Sequence, residues 1–201
     1  MARKIIAILR GIKPEEAVAL TREIIDAGIT LIEVPLNSPQ PFDSISAMRH
    51  AFDGVAQIGA GTVLTLADVA ALKAANGQFV VSPDCNVEVI KATKAAGMNS
   101  YPGVFTATEC FAAIHAGADG LKLFPASVLG TSGLKALRAV LPSTIDAYAV
   151  GGAGPDNFDQ WHIAGANGFG IGTAIYKPGD DAATVRAKAD AIVAAYDKVY
   201  G

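Results

Sequence analysis

The segment "GLKLFPA", residues 120–126, shows the pattern that decides how this chain folds. It is a short apolar run of the kind that forms a buried β-strand, it ends at a proline, and a helical pattern follows it. Similar runs recur along the chain, each ending in Gly, Pro, Ser or Asn and each followed by a longer helical pattern. Together with 120–126 they occupy residues 5–11, 31–37, 56–63, 79–84, 99–104, 147–152 and 168–172.

The helical patterns between these runs carry start and stop signals. In the first, "KPEEAVALTREIIDAG" (13–28), Pro14 stands in the first turn, where a proline is tolerated, and Gly28 stands where helices often end. The last helix is predicted from Asp181 to Tyr200. We expect an apolar stripe of the first helix to face a sheet, formed by Val18, Ala19, Ile24 and Ile25.

Strands that alternate with helices predict parallel βαβ units. Eight such units in 201 residues predict a compact (β/α)8 barrel of the TIM type, with residues 1–201 forming a single domain. An open, doubly wound sheet shares the alternation. However, no GxGxxG follows the first run and nothing marks a switch point in the middle of the chain, so the barrel is the favoured interpretation.

Composition narrows the possible functions. Apolar residues make up 51% and charged residues 17% of the chain, which predicts a folded protein. A net charge of −3, without a basic run, gives no reason to expect nucleic acid or a membrane surface as a partner. Cys85 and Cys110 form no CxxC pair, and the apolar run in "MARKIIAILRG" is too short for a secretory signal. We therefore expect a cytoplasmic protein.

Side-chain alternation along the strands directs three charged groups into the predicted barrel. Leu121 and Leu123 would face the outer helices, which turns Lys122 inward, and the same reasoning turns Glu33 and Arg10 inward. Each has a plain alternative. Lys122 could extend along the strand end to water, Glu33 could be an ion-pair partner, and Arg10 could be a rim residue. All three together at the catalytic end of a barrel indicate an active site.

The chemistry of such a set is that of a Schiff-base enzyme. An amine near other cations or in an apolar site loses its proton easily and attacks ketones. A neighbouring carboxylate could move protons, and an arginine could bind a substrate carboxylate. The set therefore predicts cleavage or formation of a carbon–carbon bond next to a keto acid, with Lys122 as nucleophile, Glu33 as acid/base and Arg10 as clamp.

Glycines after the last two predicted strands suggest a phosphate site. "AVGGAGPDN" (149–157) and "GIGTAIY" (170–176) offer bare backbone N–H groups, a helix start after Pro155 and the hydroxyl of Thr173. The alternative is that these glycines only form tight turns. No metal or other cofactor is expected, because His50, His115 and His162 fall on predicted helices away from the strand ends.

Six blocks of the chain resemble the bacterial KDPG/KHG aldolase family, which comprises metal-independent class I aldolases that release pyruvate from 2-keto-3-deoxy sugar acids. The blocks, spread over residues 5–176, are "LIEVPLNSP", "IGAGTVLT", "VVSPD", "YPGVFTATE", "LKLFPAS" and "AVGGAGPDNF". The resemblance implies a barrel that assembles as a homotrimer, with Lys122 as the Schiff-base lysine and Glu33 as the general acid/base. It places Thr62, Pro83 and Phe124 around the pyruvyl group. The phosphate would bind at Gly151, Gly152, Gly172 and Thr173, with help from Ser127.

One position departs from the family pattern. Members that act on the gluconate derivative commonly carry an arginine four positions after the catalytic glutamate, where this chain has Asn37, and here an arginine ends the first strand instead. This combination looks like the branch that acts on 2-dehydro-3-deoxy-6-phosphogalactonate, with Arg10 and Asn37 at the substrate carboxylate. The gluconate epimer and 4-hydroxy-2-oxoglutarate remain alternative substrates. A phosphate-binding barrel isomerase and a non-catalytic keto-acid-binding protein remain alternative functions.

Overall fold

A computed structural model describes residues 3–201, which contain nine β-strands and eight α-helices. The strands are β1 Ile5–Ile8, β2 Leu31–Pro35, β3 Gln57–Gly61, β4 Phe79–Val81, β5 Asn99–Tyr101, β6 Gly103–Val104, β7 Gly120–Leu123, β8 Asp146–Val150 and β9 Gly168–Ile171. The helices are α1 Pro14–Asp26, α2 Pro41–Ala51, α3 Leu66–Ala74, α4 Val87–Ala95, α5 Ala107–His115, α6 Ala126–Arg138, α7 Phe158–Ile163 and α8 Ala182–Tyr200.

The strands form one sheet in the order β5-β4-β3-β2-β1-β9-β8-β7-β6, and every neighbouring pair is parallel. The two outermost strands, β5 and β6, are separated along the chain only by Pro102. Because this continuous segment pairs with β4 through β5 and with β7 through β6, the sheet wraps into a nearly closed parallel barrel. The sequence predicted one strand over residues 99–104. It is divided at Pro102, which has no N–H to donate to a strand ladder.

Two apolar layers hold the barrel together. Between the sheet and the helices lies the larger core, to which β7 contributes Leu121 and Leu123, both fully buried. The smaller core fills the interior of the barrel, and its members alternate along the strands with those of the outer core. These interior side chains are Ile6, Ile8, Phe79, Val81, Tyr101, Tyr148 and Val150. The alternation on which the sequence prediction relied is therefore present.

The boundaries differ from the prediction at strand ends and on one helix face. β1 ends at Ile8 rather than at residue 11, because the chain turns at Gly11, whose φ of 86° is readily adopted only by glycine. In α1 the side chains buried against the core are Ala17, Leu20, Thr21 and Ile24. Ala19, predicted on the buried stripe, is exposed. Among residues 3–201, no helix combines the length and apolar character needed to cross a bilayer.

Candidate active site

A cavity of about 440 Å³ lies at the carboxyl-terminal end of the barrel strands. This is the end at which barrel enzymes place their active sites. Ten of the twelve predicted site residues line this cavity, namely Arg10, Glu33, Thr62, Pro83, Lys122, Phe124, Gly151, Gly152, Gly172 and Thr173. The other two, Asn37 and Ser127, do not line it but form hydrogen bonds with Arg10 and Gly151, which do.

Lys122 points into the cavity from the middle of the barrel wall. Its neighbours in β7 face the outer core, its backbone N–H donates to the carbonyl of Pro102 at 2.9 Å, and its relative exposure is 7%. Nζ lies 4.7 Å from the centroid of the Phe124 ring, a distance at which an aromatic face attracts a cation. The structure thus encloses this amine rather than letting it extend to bulk water.

Glu33 enters the same cavity from β2 and is 2% exposed. Its Oε2 atom is buried and has no hydrogen-bond partner among the described residues, so it can accept a proton or bind a polar group of a ligand. The space for this carboxylate exists because Gly61 has no side chain. A Cβ at that position would lie 2.5 Å from Glu33 Oε1, closer than non-bonded atoms allow.

Burial shifts the pKa values of Glu33 and Lys122 in the direction of neutral pH. It raises the pKa of Glu33 from 4.5 to about 7, although the positive charges of Lys122 and Arg10 act in the opposite direction. Burial likewise lowers the pKa of Lys122; the charge of Glu33 opposes this shift, and the charge of Arg10 adds to it. An amine that deprotonates easily and a carboxyl that titrates near pH 7 are the groups that Schiff-base chemistry and proton transfer require.

Arg10 stands at the rim of the cavity and is held toward β2. Its Nη1 donates to Oδ1 of Asn37 at 2.6 Å, and the backbone N–H of the next residue, Gly11, donates to Oγ of Ser38 at 2.9 Å. Two consecutive residues after β2 therefore anchor two consecutive residues after β1. The remaining N–H groups of the guanidinium are available for a carboxylate ligand.

Thr62, directly after β3, adopts a left-handed conformation with φ of 59°. Such a conformation is unusual for a β-branched residue and costs on the order of 1–3 kcal/mol. It places Thr62 on the cavity wall one residue beyond Gly61, which leaves room for the Glu33 carboxylate. Backbone strain of this kind often accompanies functional sites.

The glycine loop after β8 borders the cavity. Gly151 and Gly152 have φ of 86° and 93°, and the carbonyl of Gly151 accepts a hydrogen bond of 2.8 Å from the N–H of Ser127. In the loops after β8 and β9, several cavity-lining residues have backbone N–H groups without an acceptor among residues 3–201. They include Gly152, Ala153, Thr173 and Ala174.

Two polar residues that were not predicted as site residues also line the cavity. Asp156 is exposed at its edge, and Asn157 uses its side chain to bind the backbone of the glycine loop. Both belong to the quoted segment "AVGGAGPDN", so the segment was found but its polar side chains were not interpreted.

A second cavity, of about 460 Å³, lies at the opposite end of the barrel, and its lining contains no charged side chain. In the part of the chain that the structure describes, no three His, Cys, Asp or Glu side chains are grouped so that they could hold a metal ion. His50, His115 and His162 lie on α2, α5 and α7 and do not line the cavity of Lys122.

Comparison with known proteins places the chain in one family. A family profile described as "KDPG and KHG aldolase" matches residues 1–187. A protein of Rhizobium meliloti (strain 1021) named "Probable 2-dehydro-3-deoxy-6-phosphogalactonate aldolase" is 51% identical over 100% of this chain and 95% of its own length. An Escherichia coli (strain K12) protein named "2-dehydro-3-deoxy-6-phosphogalactonate aldolase" is 47% identical over 96% of this chain and 94% of its own.

A solved structure named "Native KDPGal structure" superimposes with a TM-score of 0.97 at 46% sequence identity, covering 100% of this chain and 97% of that one. The description of the profile names the family that the six sequence blocks resemble. The chain therefore belongs to the KDPG and KHG aldolase family.

Proposed function

We propose that this chain is a class I aldolase that cleaves 2-dehydro-3-deoxy-6-phosphogalactonate to pyruvate and D-glyceraldehyde 3-phosphate, as a step of galactonate breakdown. The observation that carries this proposal is the enclosed Lys122 amine in one cavity with the buried, unpartnered carboxylate of Glu33. The names of the two relatives at 51% and 47% identity support the choice of substrate.

In the proposed mechanism the Lys122 amine attacks the C2 ketone of the substrate. The carbinolamine loses water to give an iminium ion, which withdraws electrons from C3. Glu33, acting through a water molecule, takes the proton of the C4 hydroxyl while the C3–C4 bond breaks, and the electron pair of that bond forms an enamine. The aldehyde leaves, the enamine is protonated at C3, and hydrolysis of the iminium frees pyruvate and the lysine.

Other groups of the cavity would bind the ends of the substrate. Arg10, supported by Asn37, would bind the carboxylate next to the ketone, and Thr62, Pro83 and Phe124 would surround the pyruvyl group. The phosphate would lie among the N–H groups of the loops that follow β8 and β9. This assigns it to Gly151, Gly152, Gly172 and Thr173, with Ser127 supporting the loop through the hydrogen bond from its N–H to the carbonyl of Gly151.

The test is borohydride reduction in the presence of pyruvate, followed by peptide mass mapping. We expect a pyruvyl adduct on Lys122, none on the exposed Lys73, and none in a Lys122→Ala variant that keeps its fold but loses turnover. Failure of the folded wild-type protein to form the adduct would refute the mechanism and favour a phosphate-binding isomerase. Calorimetric binding of substrate without turnover would instead favour a non-catalytic binding protein.

Related substrates form the second candidate function, because the matching family profile includes aldolases of the gluconate derivative and of 4-hydroxy-2-oxoglutarate. The two phosphorylated substrates are epimers at C4. Comparing kcat/KM for the three compounds decides among them. We expect the galactonate derivative to have the highest value.

We also propose that β5 and β6 count as one barrel strand interrupted at Pro102, which makes the fold a (β/α)8 barrel with residues 1–201 as a single domain. The single residue between the two strands supports this count. The family resemblance supports a cytoplasmic homotrimer. Light scattering after size-exclusion chromatography measures the mass of the assembly and would reveal any other oligomeric state.

A further inference from the structure

The loop after β8 contains two peptide groups that are anchored by their carbonyl ends. The carbonyl of Gly151 accepts from the N–H of Ser127 at 2.8 Å, and the carbonyl of Gly152 accepts from Nδ2 of Asn157 at 2.9 Å. Oδ1 of Asn157 also accepts from the N–H of Gly154 at 3.0 Å. The Asn157 side chain therefore connects the two ends of a three-residue stretch of this loop.

Anchoring a carbonyl also fixes the direction of an N–H group. In a planar trans peptide the C=O and the following N–H point in opposite directions. Asn157 holds the carbonyl of Gly152 toward itself, so the N–H of Ala153 points away from Asn157. Ser127 has the same effect on the N–H of Gly152. These two donors line the cavity and have no acceptor among the described residues.

Neither cation of the cavity lining is free for a phosphate at this loop. Only Arg10 and Lys122 among the lining residues carry a positive charge; Asn37 holds Arg10 toward β2, on the other side of β1 from β9, and the Lys122 amine, on the strand next to β8, is engaged with the ketone in the proposed mechanism. The nearest charged residue of the loop is Asp156, whose exposed carboxylate opposes an anion. A phosphate here would therefore depend on backbone donors, and binding would depend on how these donors are oriented.

We propose that Asn157 is a positioning residue for the phosphate group of the substrate: its side chain holds the glycine loop in the shape that directs the N–H groups of Gly152 and Ala153 at the phosphate. This inference rests on the proposed function and adds to it a residue that acts through the loop. The left-handed φ values of Gly151 and Gly152 make such a support necessary, because glycine at these positions leaves the free loop highly flexible.

The test compares aldol addition of pyruvate to D-glyceraldehyde 3-phosphate with addition to D-glyceraldehyde, which lacks the phosphate. In Asn157→Ala we expect kcat/KM for the phosphorylated aldehyde to fall about 10- to 100-fold, mainly through KM, as for lost hydrogen bonds to a charged group. The value for D-glyceraldehyde should change less than about 3-fold, within the range of a lost neutral contact. The borohydride adduct of pyruvate on Lys122 should form as in the wild type.

Two further variants separate positioning from general loosening of the fold. Asn157→Asp has the same shape and can still accept from Gly154, but it cannot donate to the carbonyl of Gly152. We expect its kcat/KM for the phosphorylated aldehyde to fall at least as far as that of the alanine variant. The control is Asn167→Ala, because Oδ1 of Asn167 accepts from the N–H of Ala147 at 2.9 Å at the other end of the barrel. In this variant, kcat/KM for the two aldehydes should change by the same factor.

The outcomes distinguish this inference from the proposed function. If the wild-type enzyme does not prefer the phosphorylated aldehyde, it has no phosphate site, and both that site and the role of Asn157 are refuted. The borohydride adduct on Lys122 would still test the proposed chemistry independently. A wild-type preference that survives in Asn157→Ala and Asn157→Asp would overturn only the role of Asn157. Equal decreases in kcat/KM for both aldehydes would show that Asn157 contributes to the stability of the fold in general. That result would also overturn its role in positioning the phosphate.

Discussion

Replacing Glu33 with glutamine should remove a loss of stability that the wild-type protein undergoes as the pH rises from 5 to 8, although it also removes a group of the proposed active site. The buried carboxyl holds its proton more tightly in the folded than in the unfolded chain, since burial raises its pKa from 4.5 to about 7. Between these pH values the folded state binds more protons than the unfolded state. Stability therefore falls as the pH rises through this window and levels off above it.

The magnitude follows from the same pKa values. Each pKa unit corresponds to about 1.4 kcal/mol, so the whole titration costs the wild-type protein about 3 kcal/mol, most of which falls between pH 5 and pH 8. Glutamine has no proton to lose and escapes this cost. The difference in free energy of unfolding between Glu33→Gln and wild type should therefore shift by that amount in favour of the variant over this interval.

Urea unfolding at fixed protein concentration measures this difference. The fluorescence of Trp161 reports it, because this is the single tryptophan and it is buried. Glu15→Gln, which changes an exposed carboxylate, is the matched control and should show no such shift. In a Lys122→Ala background the shift should grow, because the cation that lowers the pKa of Glu33 is gone. A pH-independent difference between Glu33→Gln and wild type would refute the argument that burial governs this carboxyl.

Other predictions concern the geometry of the cavity. Arg10→Ala should raise KM for the keto acid about 10- to 100-fold with kcat little changed, as expected for loss of a charge-assisted contact; an unchanged KM would remove the clamp role. If Asn37 acts through Arg10, Asn37→Ala should have little further effect in the Arg10→Ala background, whereas additive effects in the double-mutant cycle would indicate separate roles. Gly61→Ala should displace the Glu33 carboxylate and lower kcat at least about 10-fold, on the scale of lost acid–base catalysis, while the borohydride adduct on Lys122 still forms.

Side-chain alternation in the sequence was sufficient to predict that Lys122 and Glu33 face the barrel interior, but not for Arg10, which lies exposed in the turn after β1 rather than on the strand. Lys122 and Glu33 each stand between apolar residues that pack against helices, so a period of two assigns them to the inner face. The strand ends were predicted too long, because apolar periodicity continues past Ile8 into the turn at Gly11. Ala19 was misplaced because alanine fits either face of a helix, so its identity carries little information about direction.

Contacts between distant segments could not be predicted in this way. Arg10 and Asn37 are 27 residues apart and meet only because β1 and β2 are neighbours in the barrel. The role of Asn157 was hidden for another reason. An asparagine near glycines is typical of any turn, and only the positions of the two backbone groups that it binds show what it supports.

The unpartnered N–H groups after β8 and β9 have an evolutionary consequence. Main-chain donors are present in every residue except proline, so the side chains of Ala153 and Ala174 can change without removing a donor. Selection for the phosphate would then act on the shape of the loops, through Gly151, Gly152 and Asn157. Descendants of this chain could diverge at the residues closest to the phosphate and still bind it, and a substrate without phosphate could be accepted after a change in the loop alone.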